Sequence, residues 1–385
     1  NVAEDGSFQL DMSYFDYATG LTMTNKKFHN LFGEPPRKPE TKLKQRDMDL
    51  AASIQKVTED IIVKLGKNIA NSTGELNLCL AGGVALNCVA NGILLREKIF
   101  KNIWIQPAAG DAGGALGAAL SAWYLHHSKE RIIPTQDDHM KGGYLGPEFS
   151  DAEIEIELKT VGAVFRKLTE SEIINCVASA LVEKKAVGWM QGRMEFGPRA
   201  LGARSIIANP RSPEMQKQLN LKIKFRESFR PFAPSILRED LEEWFEINTD
   251  SPYMLLVGPI QSNKRLAMTV KEKVLFGIDK LNVPRSSVPA ITHVDYSARI
   301  QTVHANINPL FHALISKFKE KTGCPIVLNT SFNVRGEPII CSPKDAFKCF
   351  MGTGLDMIAI GNYLLEKKDQ NKLLKKKYED SYELD

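Results

Sequence analysis

No C-x-x-C pair occurs among the six cysteines (Cys79, Cys88, Cys176, Cys324, Cys341 and Cys349), and no histidine is spaced to join them. This excludes a zinc ribbon and a disulfide framework, and a reducing, cytoplasmic setting is expected. Neither H-x-x-x-H nor H-E-x-x-H is present; His29, His126, His127, His139, His293, His304 and His312 are not spaced to share a helix face as ligands. Net charge is nearly absent as well, since 50 Lys plus Arg against 46 Asp plus Glu leave +4. Wholesale binding to nucleic acid or an anionic membrane is thereby disfavoured, and any basic function is local. The long uncharged run at residues 76–95 holds Asn77, Asn87, Asn91 and three glycines, so it reads as strand, turn and helix rather than a membrane span. Ser205 lacks a G-x-S-x-G setting, which disfavours nucleophilic catalysis by the protein. No repeat of fixed period and no signal-type leader occurs, and the first residue is Asn1, which points to a truncated or processed product.

The 385 residues, 43% hydrophobic and 25% charged, suit a soluble chain of two or more domains. Leu50, Ile54, Val57, Ile61 and Leu65 recur at helical spacing, which predicts an amphipathic helix over 48–70 packed on a core. Two successive strand, glycine-turn and helix units follow, at 76–95 and 102–125, and suggest a mainly parallel α/β sheet. A polar, Gly- and Pro-punctuated stretch over 128–150 reads as a linker. Beyond it, a helix over 171–185, strands at 186–191, 205–209, 231–237, 253–257 and 325–329, and a helix over 309–322 give an α+β order. Ser342, Pro343 and Asp345 form a capping-box pattern, with Gly352 and Gly354 marking the stop. After Lys367 the chain becomes a Lys-, Asp- and Glu-rich tail expected to be mobile.

Six segments carry chemistry-bearing residues. Gly82-Gly83, followed by Asn87, sits where a strand passes into a helix; it suits a phosphate at a helix N-terminus, or a tight turn. Gly110-Asp111 adds a carboxylate at the second such joint, for a ligand or metal, or as a helix cap. Residues 192–205 combine Arg193, Arg199 and Arg204 with Glu195 and three glycines, and guanidinium groups bind phosphate in bidentate fashion. Residues 222–232 place Lys222, Lys224, Arg226 and Arg230 among Phe225, Phe229 and Phe232. That strip is an RNA-binding patch, a nucleotide-phosphate clamp, or an ordinary half-buried strand with Lys224 and Arg226 on one face. Arg299 lies in a β-like stretch, and Ser331 and Asn333 follow a buried strand, either to hold phosphate oxygens or to close a turn.

Taken together, Leu80 to Asn87, Pro107 to Ala115, Glu195 to Gly202, Phe229 to Pro234 and Leu328 to Asn333 resemble, in order, the signature segments of the O-carbamoyltransferases, the nodulation-factor and antibiotic-tailoring enzymes. The resemblance implies the later half of an actin-like ATPase (ASKHA-type) domain over 1–135, a linker at 136–150, a YrdC-like α/β domain over 151–368, and a mobile charged tail at 369–385. It implies ATP, carbamoyl phosphate and a small-molecule alcohol acceptor as ligands. It further implies a divalent metal, iron or magnesium, and leaves room for a homodimer; neither a membrane nor nucleic acid is expected as a partner. In that scheme the YrdC-like domain forms carbamoyl-adenylate and the first domain transfers the carbamoyl group. Lys224 and Arg226 resemble the family's K-x-R element, Ser331 and Asn333 its S-x-N element, and Arg299 the arginine of its A-R-x-Q segment. These five are the expected catalytic residues: Lys224, Arg226 and Arg299 would offset phosphate repulsion, and Ser331 and Asn333 would orient phosphate oxygens. Gly82, Gly83, Asn87, Gly110, Arg199 and Arg204 would hold the nucleotide, and Asp111 resembles the carboxylate that completes an H-x-x-x-H metal site. That histidine pair and the first phosphate loop belong upstream of the matched part, so this chain by itself is expected to form the adenylate without completing transfer. A threonylcarbamoyl-adenylate synthase of tRNA modification and an RNA-binding module are the alternatives.

Overall fold

The computed structural model describes residues 1–38, 41–132 and 138–374. Its contacts divide the chain into two compact units, Asn1–Cys79 with Val89–Trp104, and Leu80–Cys88 with Ile105–Asp385. In the first unit a long helix runs over Gln45–Thr73 and stops at Gly74, whose φ of 71° only glycine adopts without strain. Gly66 is its one buried residue; a Cβ there would lie 2.8 Å from Leu94 Cδ1. The expected core packing of the apolar stripe is not met, because Ile54 is 65% and Val57 45% exposed. Periodicity gathers apolar side chains on one face but does not supply what covers them. The strand-turn-helix units form as read: β1 (Asn77–Leu80) leads into the helix Cys88–Arg96, and β2 (Asn102–Ile105) into the helix Ala112–Ser121. β1 and β2 make a two-stranded sheet.

The second unit is a mixed α/β body built on nine strands: β3 (Arg166–Lys167), β4 (Val187–Met190), β5 (Arg204–Ala208), β6 (Ala233–Leu237), β7 (Leu256–Pro259), β8 (Ser297–Val303), β9 (Ile326–Ser331), β10 (Met357–Ile360) and β11 (Tyr363–Glu366). Their order is β3-β11-β10-β4-β5-β9-β6-β8-β7. β10 with β4 and β6 with β8 are parallel pairs, and the other neighbours run antiparallel. β4, β5, β6 and β10 are buried along their whole length; β4 and β10 carry no polar side chain, whereas β5 buries Arg204 and Ser205 and β6 buries Ser235. The helix Pro309–Thr322 begins with Asn308 capping Phe311 N and ends at Gly323, and it packs against the helix Glu170–Val182. Capping boxes at Ser150, Thr169 and Ser342 start three further helices.

Residues 222–232 are not a strand. The helix Met215–Lys222 ends there, and the chain continues as a loop in which Phe225 has φ 48°. Ile223 and Lys224, expected on opposite faces of a strand, are both buried. β10 and β11 had no place in the sequence reading, since four-residue runs beside a helix carry little periodic signal. At the end of the described chain, Gln370 is buried and exchanges hydrogen bonds with the Val164 backbone; residues 375–385 of the charged tail lie outside the described residues. No helix among the described residues is long and apolar enough to cross a membrane.

The approach of residues 192–204 to the sheet depends on Gly202. Its φ is 103°, its carbonyl accepts the Trp189 indole N–H at 3.0 Å, and a Cβ would stand 2.3 Å from Phe311 Cδ1. Gly202→Ala is therefore expected to cost about 2 kcal/mol or more, from backbone strain and overpacking together. A urea midpoint equal to that of the unaltered protein would refute this close approach.

Candidate functional site

β5 and β9 are in antiparallel register with Ser205 opposite Ser331. That pairing brings the end of the arginine-rich loop beside the turn after β9, where the buried run of Ile326 to Asn329 gives way to half-buried Thr330 and Ser331. Against this turn lies a cleft of about 370 Å³ lined by Lys224, Arg226, Arg230, Ser331, Asn333 and Arg335 among others. Its polar lining is dominated by cations, the composition expected of an anion site.

Lys224 is 3% exposed and its ammonium is ringed by oxygens. Nζ donates to Asn333 Oδ1 at 2.7 Å, Asn333 O at 2.9 Å and Ser331 Oγ at 3.2 Å, and to Ser331 O. Ser331 Oγ in turn donates to Asn333 Oδ1 at 2.6 Å, and Asn333 Nδ2 to Glu337 O at 2.6 Å. The S-x-N element thus holds the lysine of the K-x-R element. Burial, and then the positive charge of Arg226, pull the Lys224 ammonium down to about 7. Arg226 is fixed by Asn220 Oδ1, which accepts from its Nε at 2.7 Å, and by the ring of Phe232, 5.1 Å below its guanidinium. Burial, and then Arg230, bring its pKa down to about 10.

Arg299, on β8 opposite Val257, does not line this cleft. It bonds Cys88, and its charge acts on both Arg199 and Arg226. Arg199 donates weakly to Leu86 O at 3.4 Å, and its buried Nε has no hydrogen-bond partner among the described residues. Burial, then Arg299, lower it to about 10. Two largely buried guanidinium groups that repel each other, one with an unmet donor, fit an incoming anion such as a phosphate.

Arg204 is corrected. It is wholly buried, and its guanidinium donates to the backbone carbonyls of Gln191, Gly192, Ala203, Pro147 and Cys341. With all three nitrogens engaged by main chain, it ties three loops together and has no face for a nucleotide. Glu195 does similar work, its Oε1 accepting from the N–H groups of Leu201, Ala203 and Arg204. A buried amide network of Asn329, Ser235 and Gln301 reaches the Ala200 and Leu201 carbonyls and anchors the loop to the sheet. No local pattern announced Asn220, whose partners lie in the loop that follows its helix, or Ser235 and Gln301, whose partners are distant in the chain. Arg230 stood inside a segment singled out and Arg335 two residues beyond another, without a reason to prefer them.

The glycine joints lie near the arginine loop. Gly82 N donates to Ala109 O at 2.8 Å, Gly82 has φ 96° with open space around it, and a Cβ on Gly197 would stand 2.7 Å from Pro107 O. Gly83 is equally open, and a Cβ on Gly110 would make only ordinary contact with Leu86. Asn87 closes the short 3-10 turn Gly83–Leu86. Asp111 precedes the helix Ala112–Ser121 but makes no side-chain cap bond. Among the described residues no three His, Cys, Asp or Glu side chains gather as a metal-ligand set. Asp111 is the sole carrier of the metal expectation among the described residues.

The comparisons agree with the signature segments. A family described as "Carbamoyltransferase C-terminus" matches residues 178–367, and one described as "Carbamoyltransferase N-terminus" matches residues 1–120. An uncharacterized protein of Synechocystis is 56% identical over 388 residues, covering 100% of this chain and 63% of that protein. Nodulation protein NolNO of Sinorhizobium fredii is 40% identical over 328 residues, 84% of this chain and 45% of that one. Nodulation protein NolO of Bradyrhizobium diazoefficiens is 40% identical over 328 residues, 84% of this chain and 55% of that one. The chain therefore spans between 45% and 63% of the length of these relatives. Both matched regions contain the segments from which the Lys224 cleft and the glycine joints are built, and the chain belongs to the carbamoyltransferase family.

Proposed function

We propose that residues 151–368 form a YrdC-like activating domain in which carbamoyl phosphate and ATP give carbamoyl-adenylate. Residues 1–135 belong to an actin-like domain that, in the whole protein, transfers the carbamoyl group to a hydroxyl of a small-molecule acceptor. The sugar, antibiotic and nodulation-factor acceptors suggested by the signature segments are of that kind. One observation carries this reading: Lys224 locked by Ser331 and Asn333 at the edge of a cleft that also presents Arg226, Arg230 and Arg335. Joining two polyanions is opposed chiefly by their mutual repulsion, and a preorganised cationic wall removes much of that barrier. Water first splits carbamoyl phosphate into carbamate and phosphate; a carbamate oxygen then bonds to the α-phosphorus of ATP as the bond from that phosphorus to the bridging β-phosphate oxygen breaks and pyrophosphate leaves. Arg226, held on its Nε edge, supports the phosphates, and Ser331 and Asn333 act chiefly through Lys224. The test is pyrophosphate release by the purified chain with each substrate omitted in turn. Release that needs both substrates is expected. Release supported by bicarbonate plus threonine but not by carbamoyl phosphate would replace this reading by threonylcarbamoyl-adenylate formation, and salt-sensitive RNA binding without turnover would replace it by an RNA-binding role.

The proton balance gives a second check. With Lys224 drawn down to about 7, it is mostly neutral at pH 8, whereas a bound phosphate favours the charged ammonium. ATP binding at pH 8 is expected to take up a proton, about one at most. Calorimetry in HEPES and in Tris, buffers of different ionisation enthalpy, reads this directly. Equal observed heats in the two buffers would place Lys224 away from the phosphates.

A further inference from the structure

Asn220 is the least exposed polar residue near the cleft, at 0%, and it is spent entirely on the cationic loop. On the last turns of the helix Met215–Lys222, its Oδ1 accepts from Arg226 Nε at 2.7 Å, and its Nδ2 donates to Ser228 O at 3.1 Å and Arg230 O at 2.9 Å. Its own carbonyl accepts Arg226 N at 3.0 Å. The donor on one side and the carbonyls on the other admit one orientation of the amide. With Nε tethered to Asn220 and one face stacked on Phe232 at 5.1 Å, the Arg226 guanidinium cannot swing, and its two terminal amino groups make no hydrogen bond to any described residue. Arg226 lines the cleft, and a fork fixed along its Nε edge is the geometry that binds a phosphate through two parallel N–H bonds. Gln216, one turn earlier, also anchors the loop, through Phe229 O at 3.3 Å and Arg230 O at 3.2 Å, but does not touch Arg226.

We propose that Asn220 is a positioning residue of the carbamoyl-activating site: it aims the terminal amino groups of Arg226 at the pyrophosphate portion of the nucleotide and thereby sets the affinity of the cleft for that anion. This rests on the reading of the cleft as an anion site. It differs from a purely structural role in one respect, since the contribution of Asn220 to anion binding passes through the Arg226 Nε–H and vanishes where that group is missing.

The experiment is a double-mutant cycle with inorganic pyrophosphate as the probe, measured by calorimetry beside thermal unfolding. Asn220→Ala is expected to weaken pyrophosphate binding about tenfold in the unaltered background, and less than about twofold in the Arg226→Lys background, where no Nε–H remains to be held. Gln216→Ala is expected to lower stability while leaving pyrophosphate affinity within about twofold. Equal losses from Asn220→Ala in both backgrounds, or equal losses from Asn220→Ala and Gln216→Ala, would overturn the proposal. A second measurement needs no Asn220 variant: the Arg226 Nε–H resonance, assigned by its loss in Arg226→Lys, should be protected from solvent exchange before pyrophosphate is added and stay so afterwards. Fast exchange in the free protein refutes the tether. If pyrophosphate binds and the cycle shows coupling while no carbamoyl-phosphate-dependent turnover occurs, the carbamoyl reading fails and the Asn220 assignment stands. Turnover without coupling gives the reverse, and an unaltered protein that binds no pyrophosphate overturns both.

Discussion

Lys224→Met is expected to reduce ATP- and carbamoyl-phosphate-dependent pyrophosphate release by roughly a hundred- to a thousandfold, the usual range when one preorganised electrostatic donor is lost. The side chain is nearly isosteric in length, so the effect is one of charge and hydrogen bonding. Ser331 O, Asn333 O and Asn333 Oδ1 lose their shared donor, and the turn after β9 loses its anchor. The fold should survive, because methionine removes the cost of a buried cation at the same time as it orphans those acceptors. The sign of the pH dependence follows from the depressed pKa. Below about 7 Lys224 is charged in both folded and unfolded protein and the full burial penalty is present; between about 7 and the ordinary lysine value of 10.5 the folded form has released a proton that the unfolded form keeps. Stability from this group therefore rises with pH across that window. Urea titrations from pH 6.5 to 9.5 should show that slope in the unaltered protein and its loss in Lys224→Met. A variant retaining more than a tenth of the activity would remove Lys224 from the reaction.

Arg204→Met is expected to act on folding instead of on ligand binding, at a cost of about 3–5 kcal/mol, a large share of the roughly 5–15 kcal/mol that holds a domain together. The guanidinium satisfies five carbonyls contributed by residues as far apart as Pro147 and Cys341, and a thioether satisfies none. Arg204→Lys should fail nearly as badly, since a single ammonium cannot span the same set. Urea unfolding reads the loss. A midpoint unchanged in Arg204→Met, with ATP binding abolished, would return Arg204 to the nucleotide site.

The two arginines of the loop show where reading by residue type stops. Arg199 and Arg204 stand five positions apart in one glycine-rich segment, and composition treats them alike. Folded, Arg204 is consumed by main-chain carbonyls while Arg199 keeps a buried Nε without a partner. The 222–232 strip teaches the same lesson about secondary structure: an alternation of charge and aromatic residues suggests a strand, yet Asn220 and Gln216 draw the backbone into a loop by bonding the carbonyls of Ser228, Phe229 and Arg230. Those amides sit on a neighbouring helix, and alternation within the strip carries no record of them.

By itself the sequence determined the local matters. These were the Pro309–Thr322 helix between Asn308 and Gly323, the capping box at Ser342, the strand-turn-helix joints, and the ordered signature segments that carry family membership. Each depends on residues within a few positions of one another or on type and spacing alone. Only the tertiary structure decided which cations face a ligand, because hydrogen-bond partners at Lys224, Arg199 and Arg204 come from segments up to 137 residues away. A charge is made available or silent by what surrounds it, and those surroundings exist only once distant segments have packed.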